Sequence, residues 1–189
     1  DKIVDGLRAD LGMNLKSVVL YGSKASGESV DKVSDHNVLL VLETVTATEL
    51  TKIGGRLKQW VRDGNPPPVV FSETELVKSA DVFPIEFLDM KDSRMVLHGG
   101  DPFLRLEIKG SNLRHECEFE LKGKLLKLRQ SYMMSGNKKQ TRILLISSVS
   151  TFLIIFRHVL RLLGKTPPVK KIDAVNALAA ETGINAGLF

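Results

Sequence analysis

Residues 20–42 read LYGSKASGESVDKVSDHNVLLVL and contain the most informative pattern in the sequence. The stretch leaves one apolar run at Gly22-Ser23 and enters a second apolar run at Asp35-His36-Asn37. Both runs are rich in leucine and valine, which predicts two strands, at 17–21 and 36–42, that are buried on both faces. The stretch therefore predicts a strand, a glycine turn and a second strand that begins with two oxygen-bearing side chains.

A glycine and a serine that follow a strand can together bind a phosphate group. Glycine lets the backbone approach a ligand closely, and the N–H groups at the start of a helix attract an anion. The Ser23 hydroxyl adds one more donor, and Lys24 either reaches the phosphate or stays solvated. Asp35 and Asn37 lie two residues apart on a strand and so project to the same face. Their side-chain oxygens are ligands of the kind that Mg²⁺ binds.

These residues resemble the signature of the DNA polymerase β-like nucleotidyltransferases. That signature is an apolar residue, Gly, then Gly or Ser, a short spacer, and an acid-apolar-acid triplet. In this sequence eleven residues separate Gly22-Ser23 from Asp35-His36-Asn37. GSKASGE and SDHNVLLVL are similar to the GSRARGE and SDIDLLV of small bacterial members. An α/β half followed by a helical half also resembles small enzymes of the kanamycin nucleotidyltransferase type.

The resemblance implies a reaction and a set of site residues. In that family three carboxylates hold two metal ions, a nucleoside triphosphate binds, and an acceptor hydroxyl attacks its α-phosphate in line. By this resemblance Gly22, Ser23 and Lys24 hold the triphosphate. Asp35 is the first metal ligand, and Asn37 stands where the family has its second acid. An amide in that place removes one negative charge, so we expect a weakened Mg²⁺ site.

The third carboxylate is expected from a strand beside 36–42. The best source is FPIEFLDM at 83–90, which is interpreted as a strand, and Glu86 lies at its middle between apolar residues. We therefore expect Glu86 to be a metal ligand or the general base. Asp89, three residues further on, would lie on the opposite face of a regular strand. His36 is expected to point away from the site as a hydrogen-bonded structural histidine. Arg94 either borders the cleft or belongs to a turn at a strand end.

The amino-acid composition indicates which class of protein this is. With 189 residues, 43% hydrophobic and 26% charged, the chain is typical of an ordinary globular protein. One cysteine, Cys117, excludes an internal disulfide, and we expect a cytoplasmic location. Cys117 falls on the apolar stripe of a helix and is expected in the core. The chain begins without Met and ends in Leu-Phe after a run typical of a helix, so we expect it to be trimmed at one or both ends.

The charge is distributed unevenly and suggests two domains. Residues 1–104 carry 12 basic and 16 acidic side chains, whereas residues 105–189 carry 15 basic and 6 acidic ones. We predict a nucleotidyltransferase-like α/β domain at 1–104, with a small mixed sheet and flanking helices. An antiparallel α-helical bundle is predicted at 105–189. The apolar run at 143–156 has fourteen residues, short of the roughly twenty in a membrane span, so we expect a buried core helix and no membrane partner.

The sequence leaves two main functions open. The first is an active nucleotidyltransferase that moves a nucleoside monophosphate from a nucleoside triphosphate onto an unidentified hydroxyl-bearing acceptor with Mg²⁺. The second is an inactive module of the same fold that binds a nucleotide, nucleic acid or protein partner. A nucleic-acid-binding role for the basic half lacks an aromatic RNA-stacking motif or zinc-knuckle spacing.

Overall fold

The computed structural model describes residues 2–26, 36–168, 170 and 172–188. Within the chain there are two compact units, Asp1–Glu107 and Ile108–Phe189. The first unit contains a small sheet with flanking helices, and the second is helical. The chain therefore has the α+β fold with a helical second part that the sequence predicts.

The sheet of the first unit has four strands in the order β3-β2-β1-β4. These are β1 Leu15–Tyr21, β2 Asn37–Leu42, β3 Val69–Ser72 and β4 Arg94–Gly99. β1 pairs antiparallel with β2 and with β4, whereas β2 and β3 run parallel. The sheet is therefore mixed, and the two strands predicted around the glycine turn are confirmed as its central pair.

One face of the sheet forms a core with helices. Val18, Leu40 and Leu42 are buried on this face against α1 (Lys2–Leu11) and α3 (Ala47–Arg56). The register pairs Val18 with Leu40, so side chains of the two central strands meet on one face. Apolar burial on this face anchors the central strands and fixes their register.

Shorter helices complete the first unit: α2 Ser23–Ser26, α4 Lys58–Arg62 and α5 Glu73–Lys78. Ser72 and Glu75 form a capping box at the start of α5, with reciprocal bonds of 3.2 and 2.8 Å. Short 3₁₀ turns lie at Gly12–Asn14 and Ser79–Asp81.

The interpretation of FPIEFLDM as a strand is wrong. Pro84–Asp92 forms a helix, α6, and Pro84 stands in its first turn, where the fixed φ of proline suits a helix start. Its buried residues include Phe87 and Met90, which lie three positions apart as helical packing requires. A short apolar run cannot by itself distinguish a strand from a helix. The strand that follows is β4, in the segment interpreted as a turn and strand end.

The second unit consists of α7 (Gly110–Met134), α8 (Lys138–Leu162), α9 (Asp173–Thr182) and a 3₁₀ turn at Ala186–Leu188. Residues of α8 and α9 form its core, with buried members Leu153, Phe156, Leu160, Ala174, Val175 and Leu178. Cys117 is buried on α7 as predicted, and this burial, with a smaller contribution from Glu116, raises the pKa of its thiol to about 12.

The long apolar helix α8 differs from the expected buried core helix. Its second half is in the core, but Ile143, Leu145 and Ile146 in its first half are 50 to 63% exposed. By length and composition α8 is the one helix among the described residues that could cross a membrane. The core helices of soluble proteins meet the same criterion, so this property alone assigns no location.

Candidate functional site

The candidate site is centred on the turn that ends β1. Gly22 has a φ of +83°, a conformation that glycine adopts without the steric cost of a side chain. Its N–H donates to the Ser93 carbonyl at 2.9 Å, and its carbonyl accepts from the Ala25 N–H at 2.9 Å. The second bond closes the first turn of α2. The local strand–glycine–helix geometry expected for an anion-binding turn is therefore present.

Asn37 lies beside this turn. It is the first residue of β2 and pairs with Tyr21, the last residue of β1. A Cβ atom placed on Gly22 would lie 3.3 Å from the Asn37 amide nitrogen. Asp35 and the Ser23 side chain fall outside the described residues, and Lys24 lies half-buried on α2. The triphosphate contacts expected of Ser23 and Lys24, and the metal contact expected of Asp35, therefore remain predictions.

A cavity of about 450 Å³ opens next to Gly22. Its lining comes from the end of β1, from β3 and from α6, and consists of Tyr21, Gly22, Val69, Phe71, Phe83, Glu86, Phe87, Asp89 and Met90. The strand register explains this grouping, since it pairs Leu39 with Val69 and Tyr21 with Asn37. Paired residues project to one face of a sheet. Asn37, Val69 and Phe71 therefore belong to the sheet face that carries the cavity.

Two carboxylates line this cavity, and both come from α6 rather than from a strand. Glu86 is exposed, and Asp89 is half-buried with one carboxylate oxygen shielded from solvent. The expectation that Asp89 lies on the opposite face from Glu86 is wrong, because residues three apart on a helix are neighbours. The role of Glu86 as a metal ligand or base remains a prediction, but no longer rests on a position in a strand.

The strands that border β2 supply no acid. β1 reads LKSVVLY and β3 reads VVFS. Val69 is the residue of β3 on the cavity face nearest the Asn37 end of β2, since it pairs with Leu39 two residues further along. Val69 is therefore the position of β3 at which a carboxylate would lie nearest to Asn37, and valine occupies it. Neither β1 nor β3 therefore adds a carboxylate beside the amide of Asn37.

The Mg²⁺ implied by the resemblance needs several oxygen ligands that converge on one point. Among the described residues, which do not include Asp35, no three His, Cys, Asp or Glu side chains form such a group. Asn37 offers only a neutral amide beside Gly22, while Glu86 and Asp89 project from α6. The described residues therefore do not form a magnesium site on their own.

The ion pair near the Gly22 turn stabilises one end of β4. Arg94 of β4 pairs with Asp101 at 2.7 Å, and the Phe103 N–H donates to the same carboxylate at 3.0 Å. Burial opposes ionisation of Asp101, but the bonds from Arg94 and Phe103 outweigh it and lower its pKa. Arg94 therefore acts at a strand end rather than at the cavity. Burial also raises the pKa of Tyr21 and keeps its phenol neutral.

His36 belongs to the opposite side of β2, as predicted. Its backbone N–H donates to the Asn65 side-chain oxygen at 3.2 Å, and its Nδ1 lies 3.0 Å from that oxygen. Its ring packs edge-on against Trp60, with centroids 5.6 Å apart. Both residues line a separate apolar cavity of about 460 Å³ that does not include Gly22. The hydrogen-bonded structural histidine is confirmed.

The cavity has an aromatic wall that was not predicted from the sequence. Phe71 packs edge-on against Phe83 and Phe87, with ring centroids 6.4 and 5.7 Å apart. Phe83 is 40% exposed and so presents part of its ring to solvent. The spacing of Phe83 and Phe87, four residues apart, was the available signal, because it places both rings on one side of a helix.

The sheet order, the glycine turn after β1 and the helical second unit define a protein with the nucleotidyltransferase fold. Among solved structures, spectinomycin adenyltransferase AAD(9) from Enterococcus faecialis, determined with ATP and spectinomycin, is similar to this chain. The similarity covers 96% of this chain and 81% of that chain, with a TM-score of 0.59 and 15% sequence identity. No protein-family model and no curated protein sequence matches the chain. At this identity the similarity establishes the fold alone.

Proposed function

We propose that this protein is a nucleotide-binding module of the nucleotidyltransferase fold that does not catalyse transfer. The observation that carries the proposal is that the glycine turn is present whereas the strands beside it supply no carboxylate. The Gly22 turn has a positive φ that suits glycine, whereas Asn37 is an amide where the sequence resemblance implies a metal-binding acid, and Val69 on the same sheet face is neutral. In the family that the sequence resembles, transfer relies on metal ions that carboxylates hold at the triphosphate, so we expect a site with fewer carboxylates to lose chemistry more than binding.

The cavity and the short helix α2 that follows Gly22 carry groups that suit a nucleoside triphosphate. Backbone N–H groups at the start of α2 suit phosphate oxygens, and Lys24 lies on the same short helix. The exposed part of the Phe83 ring offers a stacking surface for the base. The similar structure was determined with ATP, which supports a nucleoside triphosphate as the ligand of this chain.

A second candidate function is active transfer of a nucleoside monophosphate to a hydroxyl-bearing acceptor. One observation favours it: Glu86 and Asp89 line the same cavity as Gly22, from adjacent turns of α6. Together with Asp35, these two carboxylates would give the site negative charge that comes from α6 and not from a strand. The similar structure was determined with spectinomycin as well as ATP, which makes a hydroxylated small molecule a reasonable acceptor to try.

A restoration experiment distinguishes the two. Pyrophosphate release is measured with each of the four ribonucleoside triphosphates and Mg²⁺, in the presence of hydroxylated acceptors. We expect no release above background from the wild type, and release from the double substitution Asn37→Asp/Val69→Asp. The single substitution Asn37→Asp should tighten Mg²⁺-dependent triphosphate binding by roughly tenfold, because it adds one ligand charge, without restoring turnover.

The matched control is Asn37→Asp/Val77→Asp. Val77 is 61% exposed on α5 and does not line the cavity, so an acid there adds the same charge to the protein but not to the site. Turnover by the wild type that is abolished by Glu86→Gln would contradict loss of activity and establish the second candidate.

A further inference from the structure

Residues 125–146 form the end of the α7–α8 hairpin, here called the hairpin tip. This tip has many apolar side chains on its surface. Eight of its apolar side chains are exposed to between 41 and 84% rather than packed. They come from both helices and comprise Leu125, Leu126, Tyr132, Met133, Met134, Ile143, Leu145 and Ile146. An exposed apolar cluster of this kind marks a surface that contacts another apolar phase or molecule.

The exposed apolar residues on α7 form an ordered stripe. Phe119, Leu126 and Met133 follow one another at intervals of seven residues and are 69, 57 and 75% exposed. Residues seven apart lie on nearly the same side of a helix. The stripe therefore runs along one side of α7 and ends at the hairpin tip.

The charge of this region is of one sign. Between residues 121 and 172 the sequence has twelve Lys and Arg and no Asp or Glu. Lys122 and Lys124 pair with Glu118 and Glu120, one turn earlier on α7. In contrast, the described part of the chain places no carboxylate in an ion pair with the basic residues of the tip, which are Lys127, Arg129, Lys138, Lys139 and Arg142.

The turn that joins the two helices is held by side-chain bonds. Asn137 accepts from the Gln140 N–H at 3.0 Å, and the Gln140 side chain accepts from the Gly136 N–H at 2.8 Å. Ser135 and Thr141 are joined through their hydroxyl groups at 3.0 Å. The tip is thus a capped structural turn that presents its apolar and basic side chains together.

A groove of about 600 Å³ combines both kinds of side chain. It is lined by Tyr132, Lys138, Thr141, Arg142, Leu145 and Ile146. Two cations and a hydroxyl group therefore stand beside a phenol ring and two aliphatic side chains. This arrangement matches an amphipathic anion, with the charged group on the cations and a hydrocarbon portion on the aliphatic side chains.

We propose that the hairpin tip docks on an anionic phospholipid surface. Basic residues beside exposed apolar ones bind such a surface through charge attraction and shallow insertion of the apolar side chains. A second copy of the chain is disfavoured because two like-charged tips repel. Nucleic acid would satisfy the cations but would leave eight apolar side chains in water. The proposal differs from the sequence-based expectation of no membrane partner, and it stands independently of the proposed nucleotide binding.

The test is flotation of the full chain with vesicles of phosphatidylcholine alone and of phosphatidylcholine mixed with phosphatidylglycerol. We expect binding to the anionic vesicles only, weakened by salt because the attraction is screened. Lys138→Glu/Arg142→Glu should reduce binding by at least roughly twentyfold, since each cation near the surface contributes about fivefold. The control Lys52→Glu/Lys58→Glu, at exposed positions of α3 and α4, should reduce it much less.

A second pair of variants tests the apolar part without changing charge. Leu126→Ser/Ile146→Ser should weaken vesicle binding, whereas Met13→Ser/Leu104→Ser, at positions 91 and 73% exposed in the first unit, should not. Absence of vesicle binding would overturn the proposal. Vesicle binding that Leu126→Ser/Ile146→Ser leaves unchanged would also overturn it, because the exposed apolar side chains would then take no part in docking. A dimer in sedimentation velocity that Leu126→Ser/Ile146→Ser dissociates would assign the tip to a second copy.

Discussion

The sheet of the first unit and the cavity on one of its faces differ in how closely they follow what the sequence resemblance implies. The sheet is complete, with the central pair β1 and β2 buried and a glycine turn of the required backbone conformation. At the cavity, in contrast, β1 and β3 carry no acid, and β2 begins with an amide. The difference teaches that packing preserves a fold through residues that take no part in chemistry, so the fold alone does not establish an activity.

In the sheet, we expect stability to be most sensitive to substitution at Gly99, the last residue of β4. Gly99 has a φ of +74°, and a Cβ atom there would collide with the Lys16 carbonyl. We expect Gly99→Ala to lower the free energy of unfolding by about 4 kcal/mol or more, since backbone must move to relieve the collision. Urea denaturation followed by circular dichroism measures the change.

Gly64→Ala is the matched control for Gly99. Gly64 has a similar φ of +89°, but a Cβ atom there would have nothing within 4 Å. Its substitution should therefore show only the cost of a left-handed conformation, about 1 kcal/mol. Equal effects of the two substitutions would mean that β4 is not packed against β1 as described.

The ion pair between Arg94 and Asp101 should contribute to the stability of the fold and leave nucleotide affinity unchanged. Asp101→Asn should cost about 2 kcal/mol at neutral pH, because the half-buried Arg94 loses a charged partner. The pKa of Asp101 is lowered in the folded state, so its contribution is present above the unfolded pKa and is lost as the pH falls through the folded value. Unfolding measured between neutral and acidic pH should show the two proteins converging.

Two results would contradict this assignment of Asp101. A difference in stability between wild type and Asp101→Asn that persists at low pH would exclude the charge as its cause. A loss of triphosphate affinity in a variant that remains folded would place the pair in the binding site instead.

For the cavity, substitution of Phe83 tests whether a nucleotide base stacks on its ring. Phe83→Ala should weaken nucleoside triphosphate binding by about tenfold, because stacking of a base on an aromatic ring contributes about 1–3 kcal/mol. Binding of inorganic tripolyphosphate should not change, since it has no base. Phe119→Ala, which removes an exposed ring from the second unit, serves as the control. Equal losses for both ligands with Phe83→Ala would indicate damage to the cavity rather than to stacking.

Much of the fold could be predicted from local sequence patterns. β1, β2 and β3 lie in continuous apolar runs, the start of α5 has a capping box, and the helices of the second unit have long apolar periodicity. α6 could not be predicted in this way, because PIEFLDM is short and its apolar residues fit a strand as well as a helix. Only the packing of Phe87 and Met90 against their neighbours decides between them.

The candidate site was predicted in part. Gly22 and Asn37 were recognised from their order and spacing, and the structure places them side by side. The absence of an acid at Val69 could not be recognised, because it depends on the parallel pairing of β2 with β3, which joins residues thirty positions apart. The exposed hairpin tip was also missed, since hydrophobicity along a sequence does not report which apolar residues find a partner.

The measurement that tests the central claim most directly is a calorimetric titration of the wild-type protein with ATP, GTP, CTP and UTP, with Mg²⁺ and with a chelator. Binding through the Gly22 turn and the Phe83 ring, with a weakened metal site, predicts that at least one nucleotide binds with an affinity that Mg²⁺ changes little. Absence of binding to all four nucleotides would contradict nucleotide recognition. Binding that requires Mg²⁺ and is accompanied by pyrophosphate release would show that the site remains catalytic despite Asn37 and Val69.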